Sequence, residues 1–228
     1  VYAARAEQVG VPEPRTILVA PTWGRNGLLT RTGSLVPKLL ASAGYHVILR
    51  PHPQSFISDR EVMERVAADL QTCKNVEWDR NPDGFSSLSR ASLMVSDVSG
   101  VIFDFAFVFL RPVISVGNGP LKEGFEAWEI PHEAWEMKAL DQIGRRVPAG
   151  NESGIPAVVE EMLGDLTTQT EVIRRVRDEN VVNFAMPAAR SLMLSLLLLK
   201  HTPCNCSLPF LVLLKPLDAA VPRNARFL

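Results

Sequence analysis

Cysteine is scarce in this 228-residue chain, with three in all. Cys73, Cys204 and Cys206 make an odd count at a spacing that no disulfide scaffold of this length uses, so a reducing compartment is the simpler setting. Excess charge is lacking too: 24 basic against 25 acidic side chains leave a net charge of −1. Binding duplex nucleic acid mainly by long-range attraction needs a basic surplus to release counterions, and no nucleic-acid partner is expected. No apolar run reaches the roughly 18–20 residues of a membrane span, the nearest being 191–199 and 207–214. The opening VYAARAEQVG has no basic segment followed by an apolar one, so no secretory signal is expected, and the sequence reads as starting in mid-protein. Internal repeats and low-complexity blocks are also missing. So are GxGxxG and GxxxxGK[ST], which removes the fingerprints of dinucleotide-binding and phosphate-loop proteins.

Apolar residues make up 46% of the chain, enough for a sizeable core. TILVAP (16–21), YHVILRPHP (45–53), SLMVSD (92–97) and RPVISVG (111–117) are short β-rich runs without polar alternation, the form of strands buried on both faces of a parallel sheet; NVEWDR (75–80) is a shorter candidate. Between them lie helical patterns: 34–44 with Gly44 at its end, 58–74 opened by Ser58 and Asp59 as capping candidates, a short one within 81–91, and the apolar 99–110. Strand and helix in alternation predict an α/β fold, a Rossmann-like parallel sheet with helices on both faces. Four further helical patterns follow, at 134–144, 153–166, 169–184 and 188–200. The expected organisation is a lead segment 1–11, a Rossmann-like nucleotide-binding domain with closing helices over 12–200, and a poorly ordered tail 201–228 with prolines at 203, 209, 216 and 222.

Ligands of open parallel sheets bind beyond the carboxyl ends of the strands, where loops diverge and helix N-termini converge. Polar and flexible residues collect there: Thr22, Trp23, Gly24 and Gly27 after the first strand, Arg50 and His52 after the second, Asp97, Ser99 and Gly100 after the fourth, and 117–119 after the fifth. Ser99-Gly100 before an apolar helix suits a phosphate on free backbone N–H groups, or else Ser99 simply caps that helix. Asp97 either organises its loop or holds a hydroxyl. His52 stands between two prolines, a stiff turn that fixes the imidazole for catalysis or phosphate contact. Alternation along the strand puts Arg50 and His52 on one side. The loop of Thr22 is flexible enough to close over a ligand, with Trp23 read as cover for the core. His46 is read as packing, Trp128 and Trp135 as one buried helix face, and His132 has no defensible partner. His201, Cys204 and Cys206 fit no zinc spacing.

Three runs in this order, ILVAPTWG (17–24), VILRPHP (47–53) and SDVSGVIFDFAFVFLRPVI (96–114), resemble the CDP-glycerol glycerophosphotransferases, the polymerases and primases of teichoic acid synthesis. The likeness covers about residues 12–200. RRVRDENVVNFAMPAAR (174–190) resembles the family's closing helices, with Ala185 where a glycine is usual. The resemblance implies the donor-nucleotide half of a GT-B fold, taking CDP-glycerol or a related nucleotide-activated donor and passing glycerol phosphate to a polyol-phosphate or lipid-linked acceptor. It implies His52 as the catalytic residue and Thr22, Arg50, Asp97, Ser99 and Gly100 as substrate-binding residues. Val98 and Gly100 depart from the family's Asp-Tyr-Ser-Ser loop, and Asp104 matches an acidic helix residue with a structural role. No cofactor and no metal are expected. The acceptor-side base would come from the other half of the cleft, so the isolated chain is expected not to turn over alone. A cytoplasmic protein at the inner membrane face, with peripheral membrane contact through the apolar 191–214 region, is the implied setting. Another nucleotide-sugar glycosyltransferase, an epimerase-like enzyme and a non-catalytic nucleotide-binding domain remain as alternatives.

Overall fold

A computed structural model describes residues 12–97, 99–117 and 135–181. Six strands form one sheet: β1 (Thr16–Val19), β2 (His46–Leu49), β3 (Val76–Trp78), β4 (Leu93–Ser96), β5 (Val113–Val116) and β6 (Gly144–Val147). Their order is β3-β2-β1-β4-β5-β6, and every pairing is parallel. The chain winds outward from β1 to one edge and returns through β4 to the other. The strand order therefore reverses between β1 and β4, the place where such sheets open a crevice at their carboxyl edge.

The helices are α1 (Leu28–Thr32), α2 (Leu35–Ser42), α3 (Ser55–Ser58), α4 (Arg60–Leu70), α5 (Phe85–Arg90), α6 (Val101–Phe109), α7 (Trp135–Ile143), α8 (Ile155–Gly164) and α9 (Leu166–Asn180). Alternate strand residues divide between the two faces. Ile17, Val19, Val47, Leu49, Leu93, Val95, Ile114 and Val116 form one cluster with Val36 and Leu40 of α2, Met63, Val66 and Leu70 of α4, and Ile155, Val159 and Met162 of α8. Leu18, Ile48, Met94 and Val113 are equally buried on the opposite face, where α6 lies against β4 and β5. Burial on both faces explains why the central strands read as unbroken apolar runs. Two compact units divide the chain, 1–176 and 177–228; of the second, only 177–181 are described.

Three elements differ from the sequence expectation. A short helix, α1, stands inside the span read as loop, because Asp97 satisfies its first N–H from another part of the chain. Four residues after His52 turn into α3 before α4 begins. Strand β6 was not foreseen: Gly-Arg-Arg-Val has no apolar alternation, and its arginines go to Glu161 (3.0 Å) and to Asp141 at an edge where charge is tolerated. His46 is a second correction, since it is half-exposed and bonded to Glu77 of β3 (3.0 Å) rather than packed. The lead segment 1–11, Val98, residues 118–134 with Trp128 and His132, the helix expected at 188–200 and the tail 201–228 lie outside the described residues.

Ion pairs tie the loops beneath the sheet's carboxyl edge. Asp79, just after β3, accepts from Arg50 (2.6 Å) and from the Ser87 hydroxyl. Burial pushes its carboxyl up, but the Ser87 hydroxyl, the Asn81 backbone N–H and the Arg50 guanidinium together hold it below the ordinary carboxylate value. Hydrogen bonding from Arg90 does the same for Glu77, outweighing its burial. Because both folded values are depressed, this stabilisation is present above the unfolded carboxylate range of about 4 and is lost as pH falls through the lower folded values. Melting temperature should therefore drop steeply below about pH 4, and Asp79→Asn should flatten that acid limb; an unchanged limb in thermal melts would contradict this account.

Candidate functional site at the carboxyl edge

Asp97, one residue past β4, is 4% exposed and spends both carboxylate oxygens on the loop after β1. Oδ1 accepts from the backbone N–H of Thr22 (2.9 Å) and Oδ2 from that of Leu28 (2.7 Å). Of the two readings open from the sequence, the geometry is that of a loop organiser. Four more bonds hold the same loop. Ser96 donates to the carbonyl of Ala20 (2.6 Å), Asp59 accepts from the N–H of Gly24 (2.7 Å), and the loop closes on itself from Gly27 N–H to Gly24 O (2.9 Å). The N–H of His52 reaches the carbonyl of Pro21 (3.3 Å). Gly27 is required by space: a Cβ there would lie 2.7 Å from the Thr22 carbonyl oxygen. Asp59 caps no helix with its side chain, contrary to the sequence reading, because its carboxylate is spent on Gly24.

The loops of His52 and of Ser99 thus flank one rigid connection, 21–27, and face the crevice from either side of it. Helix α6 starts with Gly100 at its N-cap and without any side-chain cap. Ser99, half-buried, does not cap the helix with its hydroxyl, and among the described residues the N–H groups of Ser99, Gly100 and Val101 meet no acceptor. Three unspent donors at a helix start form an anion-holding group favoured by the helix dipole. Among the described residues, nothing lies within 4 Å of where a Gly100 Cβ would stand. The Thr22 hydroxyl is likewise unspent, its backbone N–H alone being used by Asp97.

His52 is exposed, and its Nδ1 accepts the backbone N–H of Gln54 (3.1 Å). That bond leaves Nε2 as the protonated nitrogen of the neutral ring, a donor to anything docked above the loop. Trp23, expected to cover the core, is instead 49% exposed, its ring centroid 6.3 Å from that of His52. Two polar bonds around it fix the loop, so the indole is not drawn inward. Arg50 does not share a partner with His52. It is turned to Asp79 and to the carbonyl of Asn81 (2.8 Å), which makes it a brace between the β2 and β3 loops.

Asp59 and Arg31 belong to this rim and were missed in the sequence. Asp59 looked like a helix cap, and Arg31 lies between the loop of Thr22 and the helical pattern at 34–44, in a stretch that the sequence pattern leaves unassigned. Asp104, in the first turn of α6, is exposed. Among the described residues no cluster of three or more His, Cys, Asp or Glu is placed to hold a metal ion, and no helix is long and apolar enough to cross a membrane. Replacing Asp97 by Ala orphans one buried and one half-buried backbone donor, so a loss of about 3 kcal/mol in unfolding free energy is expected. Denaturant titration reads it, and a loss below about 1 kcal/mol would mean the loop has other support.

No protein-family model matches the chain and no curated protein matches it. Solved structures do. The wall teichoic acid polymerase TagF superposes with a TM-score of 0.50 at 18% identity, covering 87% of this chain and 46% of that one. A variant of the same polymerase gives 0.50 at 17% identity over 87% and 47%. A sucrose-phosphate synthase from Thermosynechococcus elongatus superposes at 0.48 with 18% identity, over 88% and 48%. The chain spans about half the length of the structures it matches. At these identities the likeness is one of fold alone: a Rossmann-like α/β sheet.

Proposed function

We propose that this chain is the donor-nucleotide half of a GT-B transferase that moves glycerol phosphate from CDP-glycerol to an acceptor hydroxyl in the synthesis of a teichoic-acid-like polymer. The observation that carries the reading is the pairing, across one braced loop, of three unspent N–H groups at the start of α6 with the stiff His52. Three sequence runs similar to the glycerophosphotransferases fall on this same rim, and a wall teichoic acid polymerase is among the proteins with this fold.

In that reaction the acceptor oxygen forms a bond to the phosphorus that bears glycerol. The bond between that phosphorus and the bridging oxygen breaks, and the electron pair leaves with CMP. The acceptor proton passes to a base on the acceptor side of the cleft. Such transfers depend on positioning and on neutralising charge. The N–H groups of Ser99, Gly100 and Val101 hold one phosphate, Nε2–H of His52 donates to the diphosphate as charge gathers on it, and the Thr22 hydroxyl completes the rim. With Nδ1 occupied by Gln54 N–H, His52 acts as a donor to the leaving group and not as the base. Asp97 and Arg50 act through the loops they hold. Contact with a lipid-linked acceptor at a membrane surface belongs to the same reading, as does a cytoplasmic location.

Calorimetric titration of the full chain with CDP-glycerol, CDP-ribitol and a UDP-sugar tests the proposal. Preference for CDP-glycerol is expected, with His52→Ala weakening binding about tenfold, the loss of one charge-assisted hydrogen bond. Preference for the UDP-sugar would point to another glycosyltransferase, and indifference to His52→Ala would remove that residue from the mechanism.

A further inference from the structure

Several arginines in this domain are paired with carboxylates. Arg50 pairs with Asp79, Arg90 with Glu13 and Glu77, Arg145 with Glu161 and Arg146 with Asp141. Arg111 is buried and spends its guanidinium on the carbonyls of Leu88, Ser89 and Ala91, closing the end of α5; burial pulls it down to about 10. Arg31 follows neither pattern. It is exposed, it has no carboxylate within ion-pair distance among the described residues, and it is nonetheless anchored.

Two carbonyls hold it. Nε donates to Asn26 O (3.0 Å) in the loop after β1, and Nη2 donates to Val116 O (2.8 Å), the last residue of β5. In the sheet β4 lies between β1 and β5, and the first N–H of α1 is bonded to Asp97 beyond the end of β4. The side chain, one turn further along α1, therefore bridges to β5 on the same rim from which Ser99 and Gly100 emerge. Gly117 makes room for it: a Cβ there would lie 3.0 Å from Nη2, and its φ of +131° disfavours any other residue. Among the described residues, both N–H groups of Nη1 and one of Nη2 meet no acceptor. A guanidinium fixed at one end, uncompensated in charge and still carrying three donors, is prepared for an anion with two or more oxygens.

We infer that Arg31 is a substrate-binding residue for the second phosphate of a nucleoside diphosphate, the first resting on the N–H groups at the start of α6. This rests on the donor-nucleotide reading above and extends it: the rim distinguishes diphosphates from monophosphates, and Arg31 supplies the distinction. A diphosphate presents two anionic centres, and the α6 N-terminus alone accounts for one.

The test is calorimetric titration of the full chain with CDP and with CMP, for the parent protein, Arg31→Gln and Arg31→Lys, with thermal melts of each. The parent should bind CDP more tightly than CMP. Arg31→Gln should lose about tenfold or more in CDP affinity, as expected for a charge-assisted contact, while CMP affinity changes less than about twofold. Arg31→Lys, which keeps the charge but not the fork, should fall between them and provides the measurement should Arg31→Gln not fold. Equal weakening toward both nucleotides would show that Arg31 only supports the loop, and unchanged CDP binding would show that it does not touch the ligand; either overturns this assignment and leaves the donor reading intact. A parent protein that binds neither nucleotide overturns both.

Discussion

A single buried carboxylate organises the carboxyl edge of this protein's sheet. Asp97 sits where β4 ends and takes two backbone N–H groups of the loop that leaves β1, one at each end of it. Backbone donors turned away from water must find acceptors, and a carboxylate satisfies two at once at charge-assisted strength. Everything placed on that loop inherits its rigidity. Pro21 receives the His52 N–H, Gly24 is pinned by Asp59, and Leu28 starts the short helix that carries Arg31. The rim is thus preorganised before any ligand arrives, which matters most for the proposed transfer, whose catalysis would consist of placing phosphates and neutralising them.

The division of labour among charged residues follows from the same constraint. Groups that look available in the sequence are consumed by structure: Asp97 by the loop, Arg50 by Asp79, Asp59 by Gly24. What remains unspent among the described residues of the rim is more modest, namely backbone N–H groups, one imidazole N–H, one threonine hydroxyl and an anchored guanidinium. All are donors. An edge whose unspent groups are donors suits an anion, and their distribution over two sides of a loop suits an anion of some length.

Much of this was legible in the sequence and some was not, for physical reasons. Strands such as ILV at 17–19 and LMV at 93–95 announce themselves because burial on both faces demands unbroken apolar residues. Their carboxyl ends follow, and with them the positions of His52 and Ser99. Strand β6 carries no such signal, since an edge strand of Gly-Arg-Arg-Val is held by its neighbour's backbone and by ion pairs with Asp141 and Glu161. The destinations of Asp59 and Arg31 are contacts across 35 and 85 positions of chain. No local pattern encodes them. Trp23 illustrates the remaining error: large aromatic size favours burial on average, but a loop tied down by polar bonds on both sides left its ring outside.

A crystal structure of the chain with bound CDP-glycerol would test the central claim most directly. The account predicts the diphosphate lying over the 21–27 loop, with one phosphate within hydrogen-bond distance of the Ser99 and Gly100 amides and Nε2 of His52 touching the bridge or its neighbouring oxygen. A nucleotide seated at the amino edge of the sheet, or one that leaves both the α6 start and His52 untouched, would contradict it.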